Sequence, residues 1–129
     1  MTKSIIVIID DKDHAIKQIK RNFPHKKLEN YTIIHFDSYA AFEKSSLDEI
    51  YIIFLDFFLD IDRKHGTHFI PVLKSEYFVG FSSMKETTLG LAQKAKESNR
   101  WHENKVFAIQ KLKQSLENKE LKKLLEKII

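Results

Sequence analysis

Two apolar runs of this chain each end in aspartate. Ile5-Ile6-Val7-Ile8-Ile9 leads into Asp10-Asp11, and Tyr51-Ile52-Ile53-Phe54-Leu55 leads into Asp56. Short runs this rich in Ile, Val, Phe and Tyr read as strands buried on both faces, as in a parallel sheet flanked by helices. In such sheets the ligand crevice lies outside the carboxyl ends of the strands, near the point where strand order reverses. Three carboxylates delivered to that edge repel one another unless a cation or a proton holds them together. The edge is therefore where function is expected.

The elements that must position these acids alternate along the chain. After the first strand, Asp13 can cap a helix whose Ile16, Ile19 and Phe23 recur at helical spacing until Pro24 stops it. Tyr31 to Phe36 reads as a second strand, and Ser38 starts a helix with Phe42 inward, near Leu47. Residues 50–56 form a third strand, followed by a polar loop from Asp60 to His65 that ends at Gly66. A short helix through Phe69, Val72 and Leu73 is weakened by Pro71, which is comfortable only in a first turn. Tyr77 to Phe81 reads as a fourth strand, Thr87 to Glu97 as a fourth helix and Val106 to Ile109 as a short fifth strand. Leu112, Leu116, Leu121, Leu124, Leu125 and Ile128 predict a long final helix. Strands alternating with helices in this way predict a doubly wound α/β fold, a five-stranded parallel sheet with five helices.

Size and composition narrow the class. At 129 residues with 43% hydrophobic content, one globular domain covering 1–129 is expected, with no second domain. No apolar run is long enough for a membrane span or a signal-peptide core. Cysteine is absent, which excludes disulfides and thiolate metal sites and fits a cytoplasmic location. The net charge of +4 is concentrated in residues 94–129, which hold ten Lys or Arg against five Glu. Lys119, Lys122, Lys123 and Lys127 alternate there with Glu117, Glu120 and Glu126, the pattern of a solvated helix face rather than a nucleic-acid surface. His65 and His68 share a helical spacing but have no obvious third ligand, so no zinc site is expected.

Reading the ends of strands one, three, four and five gives Asp10 and Asp11, Asp56, Ser82 and Lys111. In the flavodoxin-like strand order 2-1-3-4-5, strands one and three are neighbours, so Asp11 and Asp56 face one crevice. This conjunction resembles the response-regulator receiver domain of two-component signalling, over essentially the whole chain. It includes Asp56-Phe57-Phe58-Leu59 followed by Gly66, where the family usually has a glycine. The resemblance implies phosphoryl transfer to Asp56 from a histidine kinase, a phosphotransfer protein or a small acyl phosphate, giving an aspartyl phosphate. It implies Mg²⁺ held by the Asp11 and Asp56 carboxylates and the Phe58 backbone carbonyl, with Asp10 acting through water. Lys111 would pair with a phosphoryl oxygen, and Ser82 would swing toward the new phosphate. A stand-alone signalling module of this kind, not an enzyme in the ordinary sense, would meet a downstream protein through its helix 4–strand 5–helix 5 face.

The chain also departs from the family. Leu112 follows Lys111, where the family commonly has a proline in a cis peptide, and Ala108 stands where it usually has a switching aromatic. Ser98 to Asn104 is a longer turn than usual and carries the only Trp. Phe58 and Met84 stand at positions that in the family flank the phosphoryl group, so the resemblance implies a shielded site whose phosphorylated form hydrolyses slowly. These departures give weight to a pseudo-receiver, an interaction module with the same fold and no phosphorylation. A phosphatase of the haloacid-dehalogenase type is a third reading, from the DxD spacing of Asp11-Lys12-Asp13, but no Gly-Thr follows and the chain is short for a cap.

Overall fold

The structure, a computed structural model, describes residues 4–113 and 115–129. Five strands, β1 (Ile5–Ile9), β2 (Thr32–Phe36), β3 (Ile50–Leu55), β6 (Tyr77–Ser82) and β7 (Val106–Gln110), form one sheet in the order β2-β1-β3-β6-β7. Every pairing in it is parallel. Between β3 and β6 lies a small antiparallel hairpin, β4 (Phe58–Leu59) with β5 (Lys64–His65). The expected order 2-1-3-4-5 is thus the observed order of the five main strands.

The sheet is covered on both faces because its strands are apolar on both. Along β1, Val7 and Ile9 enter one core with Ile53, Leu55, Phe78 and Trp101, whereas Ile6 and Ile8 enter the other with Ile52, Phe54, Val79 and Phe81. Side chains alternate across a strand, so an uninterrupted apolar run needs a layer on each side. Helices α1 (His14–Asn22) and α4 (Lys119–Ile128) form one layer, through Ala15 and Ile19 of α1 and Leu121, Leu124, Leu125 and Ile128 of α4. Helix α3 (Lys85–Glu97) covers the opposite face with Leu91, Ala92 and Ala95, joined by Tyr39 and Phe42 of the short α2 (Tyr39–Lys44). Gly80 lets α3 approach, since a Cβ there would lie 2.8 Å from the Leu91 Cβ and 2.9 Å from the Thr88 carbonyl oxygen.

Three local expectations change. The helix expected through Phe69 and Leu73 is a pair of 3₁₀ turns, Gly66–His68 and Ile70–Val72, leaving four α-helices among the described residues. Pro71 offers no N–H for an α-helical ladder, and the turns instead bury Ile70 and Leu73 while Phe69 stacks on Tyr39 at 4.0 Å. The final helix begins at Lys119, so Leu112 and Leu116 lie outside it, exposed. Asn118 sets that start: its side chain accepts from Leu121 N–H at 3.1 Å, as an N-cap does. Asp13 occupies the N-cap position of α1 without capping it, pairing with Lys17 at 2.9 Å instead, whereas Ser38 caps α2 through Ala41 N–H at 3.0 Å.

Candidate functional site

Asp10, Asp56 and Lys111 each stand one residue beyond a strand, and each is held there by one more rung of the sheet. The N–H of Asp10 bonds the Phe36 carbonyl at 3.0 Å, that of Asp56 the Ile9 carbonyl at 3.0 Å, and that of Lys111 the Ser82 carbonyl at 2.8 Å. The three side chains are thereby fixed along the carboxyl edge of the sheet, where β1 and β3 are neighbours.

They converge. Lys111 Nζ lies 2.6 Å from Asp10 Oδ2 and 3.3 Å from Asp56 Oδ1. Asp10 also accepts from Lys12 N–H at 3.0 Å through Oδ1. Asp11 joins them: one carboxylate oxygen from each of Asp10, Asp11 and Asp56 lies within 4.8 Å of the others. Asp10 and Asp56 are buried and Asp11 is half-buried.

Three carboxylates face one ammonium, and the imbalance shows in the acidity of the two buried ones, Asp56 and Asp10. Burial pushes Asp56 up to about 6, with Asp10 and Asp11 adding repulsion and Lys111 opposing both. Asp10 is likewise raised by burial, against the pull of Lys111 and the Lys12 N–H. Three acidic side chains thus share one ammonium in a site largely withdrawn from water. A hard divalent cation with oxygen ligands supplies what is missing, so the donor set fits Mg²⁺.

The loop after Asp56 is built around close backbone contact. A Cβ on Gly66 would lie 2.2 Å from the Asp56 carbonyl oxygen, and Gly66 N–H bonds the Phe57 carbonyl at 2.6 Å. The β4–β5 hairpin then ties the acids to α2. Asp60 N–H reaches Asp11 Oδ2 at 3.4 Å, and Asp62 accepts from Tyr39 N–H at 2.7 Å and Ala40 N–H at 3.2 Å. His65 packs its ring against Phe57, with 4.3 Å between centroids.

An open cleft of about 930 Å³ lies over this edge, lined among others by Asp11, Asp56, Phe58, Ser83, Lys111 and Leu112. Ser82 is not in its wall: the side chain is fully buried, with its hydroxyl 2.7 Å from Thr87 Oγ1 on α3. Phe58 lines the cleft at 42% exposure, while Met84, 49% exposed, precedes α3. Met84 is not among the residues that line the cleft. The Lys111–Leu112 peptide is trans.

Sequence reasoning missed a buried polar cluster beneath the Lys111 loop, formed by Gln18, Asn22 and Asn118. A signal for it existed: Gln18 and Asn22 share the inward stripe of α1 with Ala15 and Ile19, where an apolar residue is the rule.

The parallel order with its reversal beside β1, and acids at the carboxyl edge of that reversal, define an α/β domain with the flavodoxin-like fold of response-regulator receivers. A solved structure of that class, the response regulator DrrB of Thermotoga maritima, an OmpR/PhoB homolog, is similar to it with a TM-score of 0.61 at 13% identity. The match covers 96% of this chain and 51% of that one, so the chain spans about half the length of DrrB, and the likeness is one of fold. No family model matches the sequence, and no curated protein does.

Proposed function

We propose that the chain is a receiver module that accepts a phosphoryl group on Asp56 and reports it through a protein partner. The observation that supports this most is the joining of Asp10, Asp11, Asp56 and Lys111 at one sheet edge, with an acid–acid repulsion that a divalent cation relieves. With an acidity near 6, Asp56 is ionised at neutral pH and free to act as a nucleophile. Its oxygen attacks phosphorus in a donor phosphohistidine or acyl phosphate as the bond to the leaving group breaks. Asp11, Asp56 and the Phe58 carbonyl would hold Mg²⁺, with Asp10 acting through water; bound there, the ion would supply positive charge for the transferring phosphoryl oxygens.

Lys111 supplies the second positive charge, moving from Asp56 to a phosphoryl oxygen while keeping Asp10. Ser82 exchanges its Thr87 partner for the phosphate, and because Thr87 sits in the first turn of α3, that exchange pulls on the helix. The surface of α3, β7 and α4 is the proposed reporting face for a downstream protein, and a histidine kinase or phosphotransfer protein the proposed donor. No helix among the described residues is long and apolar enough to cross a membrane. We place the module in the cytoplasm, where such donors act.

Leu112 after Lys111 and Ala108 on β7 favour a second reading, a docking module of the same fold that never carries phosphate. Incubation with Mg²⁺ and acetyl phosphate followed by intact-mass spectrometry separates them. One added phosphoryl group in the parent and none in Asp56→Asn supports the phosphoacceptor. No gain in the parent, with no detectable Mg²⁺ binding, supports the docking module.

A further inference from the structure

The Gln18 side chain is 1% exposed and sits on the inward face of α1, yet its polar partners belong to the loop after β7. Its Oε1 accepts from Leu112 N–H at 3.0 Å and from Asn118 Nδ2 at 3.1 Å. Its Nε2 donates to the Leu112 carbonyl at 3.0 Å, with the Lys113 carbonyl at 3.4 Å. One amide thus engages both backbone groups of the residue that follows Lys111, as a neighbouring strand would. The loop has no such strand, because β7 is the outer strand of the sheet.

The rest of the cluster braces that amide. Asn22 Nδ2 donates to the Gln18 carbonyl at 2.8 Å, and its Oδ1 accepts from Asn118 N–H at 3.3 Å. Asn118 Nδ2 also donates to the Gln110 carbonyl at 2.9 Å. Lys111 is consequently held from two sides: its own N–H on Ser82, and the Leu112 backbone on Gln18. No proline stiffens the loop from within. The helix that carries Gln18 begins three residues after Asp11, so acids and lysine are referenced to the same rigid element.

We infer that Gln18 is the positioning residue for Lys111, setting where its ammonium stands between Asp10 and Asp56. The consequence for phosphoryl transfer rests on the phosphoacceptor reading, whereas the placement of the lysine does not. Methionine at this position keeps the length and volume and removes both polar ends. Asn118 still bonds Gln110 and Asn22, so Leu112 loses its hold on α1 while α4 keeps its cap.

The test is competitive acetylation of the metal-free chain with acetic anhydride in EDTA, read lysine by lysine. Lys12 and Lys113, both exposed, serve as internal references. In the parent, Lys111 is the slow lysine of the three. In Gln18→Met its rate relative to Lys113 rises by about fivefold or more, the factor one lost hydrogen bond is worth. Leu124→Ala, a core change that lowers stability away from the loop, leaves the ratio within about twofold. Gln18→Glu retains acceptors for Leu112 and Asn118 and gives an intermediate rise, which keeps the test decisive if the methionine variant does not fold. An unchanged Lys111 ratio in a folded variant overturns the inference.

A second arm measures phosphoryl uptake from acetyl phosphate. At saturating Mg²⁺, Gln18→Met slows uptake about tenfold, with half-saturating Mg²⁺ moving by less than about twofold, because the carboxylates themselves are untouched. A parent that takes up no phosphate refutes the phosphoacceptor reading and leaves the acetylation ratio to decide on Gln18.

Discussion

Asp56→Asn is expected to stabilise the metal-free chain, by an amount that depends on pH. Burial, reinforced by Asp10 and Asp11 and only partly offset by Lys111, raises Asp56 from 3.8 to about 6. Between these values the native state keeps a proton that the unfolded chain has released. Stability therefore falls as pH rises through that window, and the deficit is complete above it. A rise of about two units corresponds to about 3 kcal/mol. Asparagine has the shape of the protonated carboxyl and never ionises. It recovers that amount near pH 7.5 and only a small part of it near pH 4. For a chain of this size, about 3 kcal/mol moves the midpoint of thermal unfolding by roughly 10 °C. Urea or thermal unfolding of both proteins in EDTA, at the two pH values, measures the difference. Equal stability at pH 7.5, or the same gain at both pH values, refutes the claim that Asp56 is held in a repulsive, desolvated site. Mg²⁺ then discriminates further: at tenfold over its dissociation constant it adds about 1.4 kcal/mol to the parent, and far less to Asp56→Asn.

Gly66→Ala sets a Cβ 2.2 Å from the Asp56 carbonyl oxygen, so it is expected to cost about 2 kcal/mol in urea unfolding; a neutral result would mean the loop can withdraw from the acid freely. Lys111→Met removes the main influence that lowers both Asp10 and Asp56, so both carboxyls titrate at higher pH in carbon-detected NMR; unmoved titrations would show that the ion pairs do not persist in solution. Phe58→Asn admits water to the cleft and shortens the phosphoaspartate lifetime, whereas Met84→Glu, outside the cleft lining, shortens it less; identical decay in all three proteins would remove shielding as a cause of the lifetime.

The sheet was legible because its strands are continuous apolar runs whose periodicity needs no tertiary information. Ile5–Ile9, Ile50–Leu55 and Tyr77–Ser82 fall where Ile, Val, Phe and Tyr cluster, and the acids follow directly from where those runs stop. Elements decided by distant contacts were not legible. The leucines at 112 and 116 are four apart, as on one face of a helix, but Asn118 caps a helix that starts after both. Pro71 warned that the third helix was weak without revealing the 3₁₀ turns that bury Ile70 and Leu73. The β4–β5 hairpin spans only two residues on each strand, too short for an alternating pattern, and Asp62 reaches α2 across 23 positions of sequence. Of the candidate site, Asp10, Asp11, Asp56 and Lys111 come together as their strand-end positions implied, while the Ser82 hydroxyl is turned to Thr87. The Gln18 cluster escaped notice because its partners lie more than ninety residues away, in a loop whose course no local pattern encodes.

The central claim is that Asp56 is the residue that receives the phosphoryl group. Its most direct test is peptide mapping of the chain after brief incubation with acetyl phosphate and Mg²⁺, with EDTA as the control. A single label on the peptide carrying Asp56, localised to that aspartate and suppressed by EDTA, is the predicted result. A label on another residue, or none while the chain is folded, would contradict it.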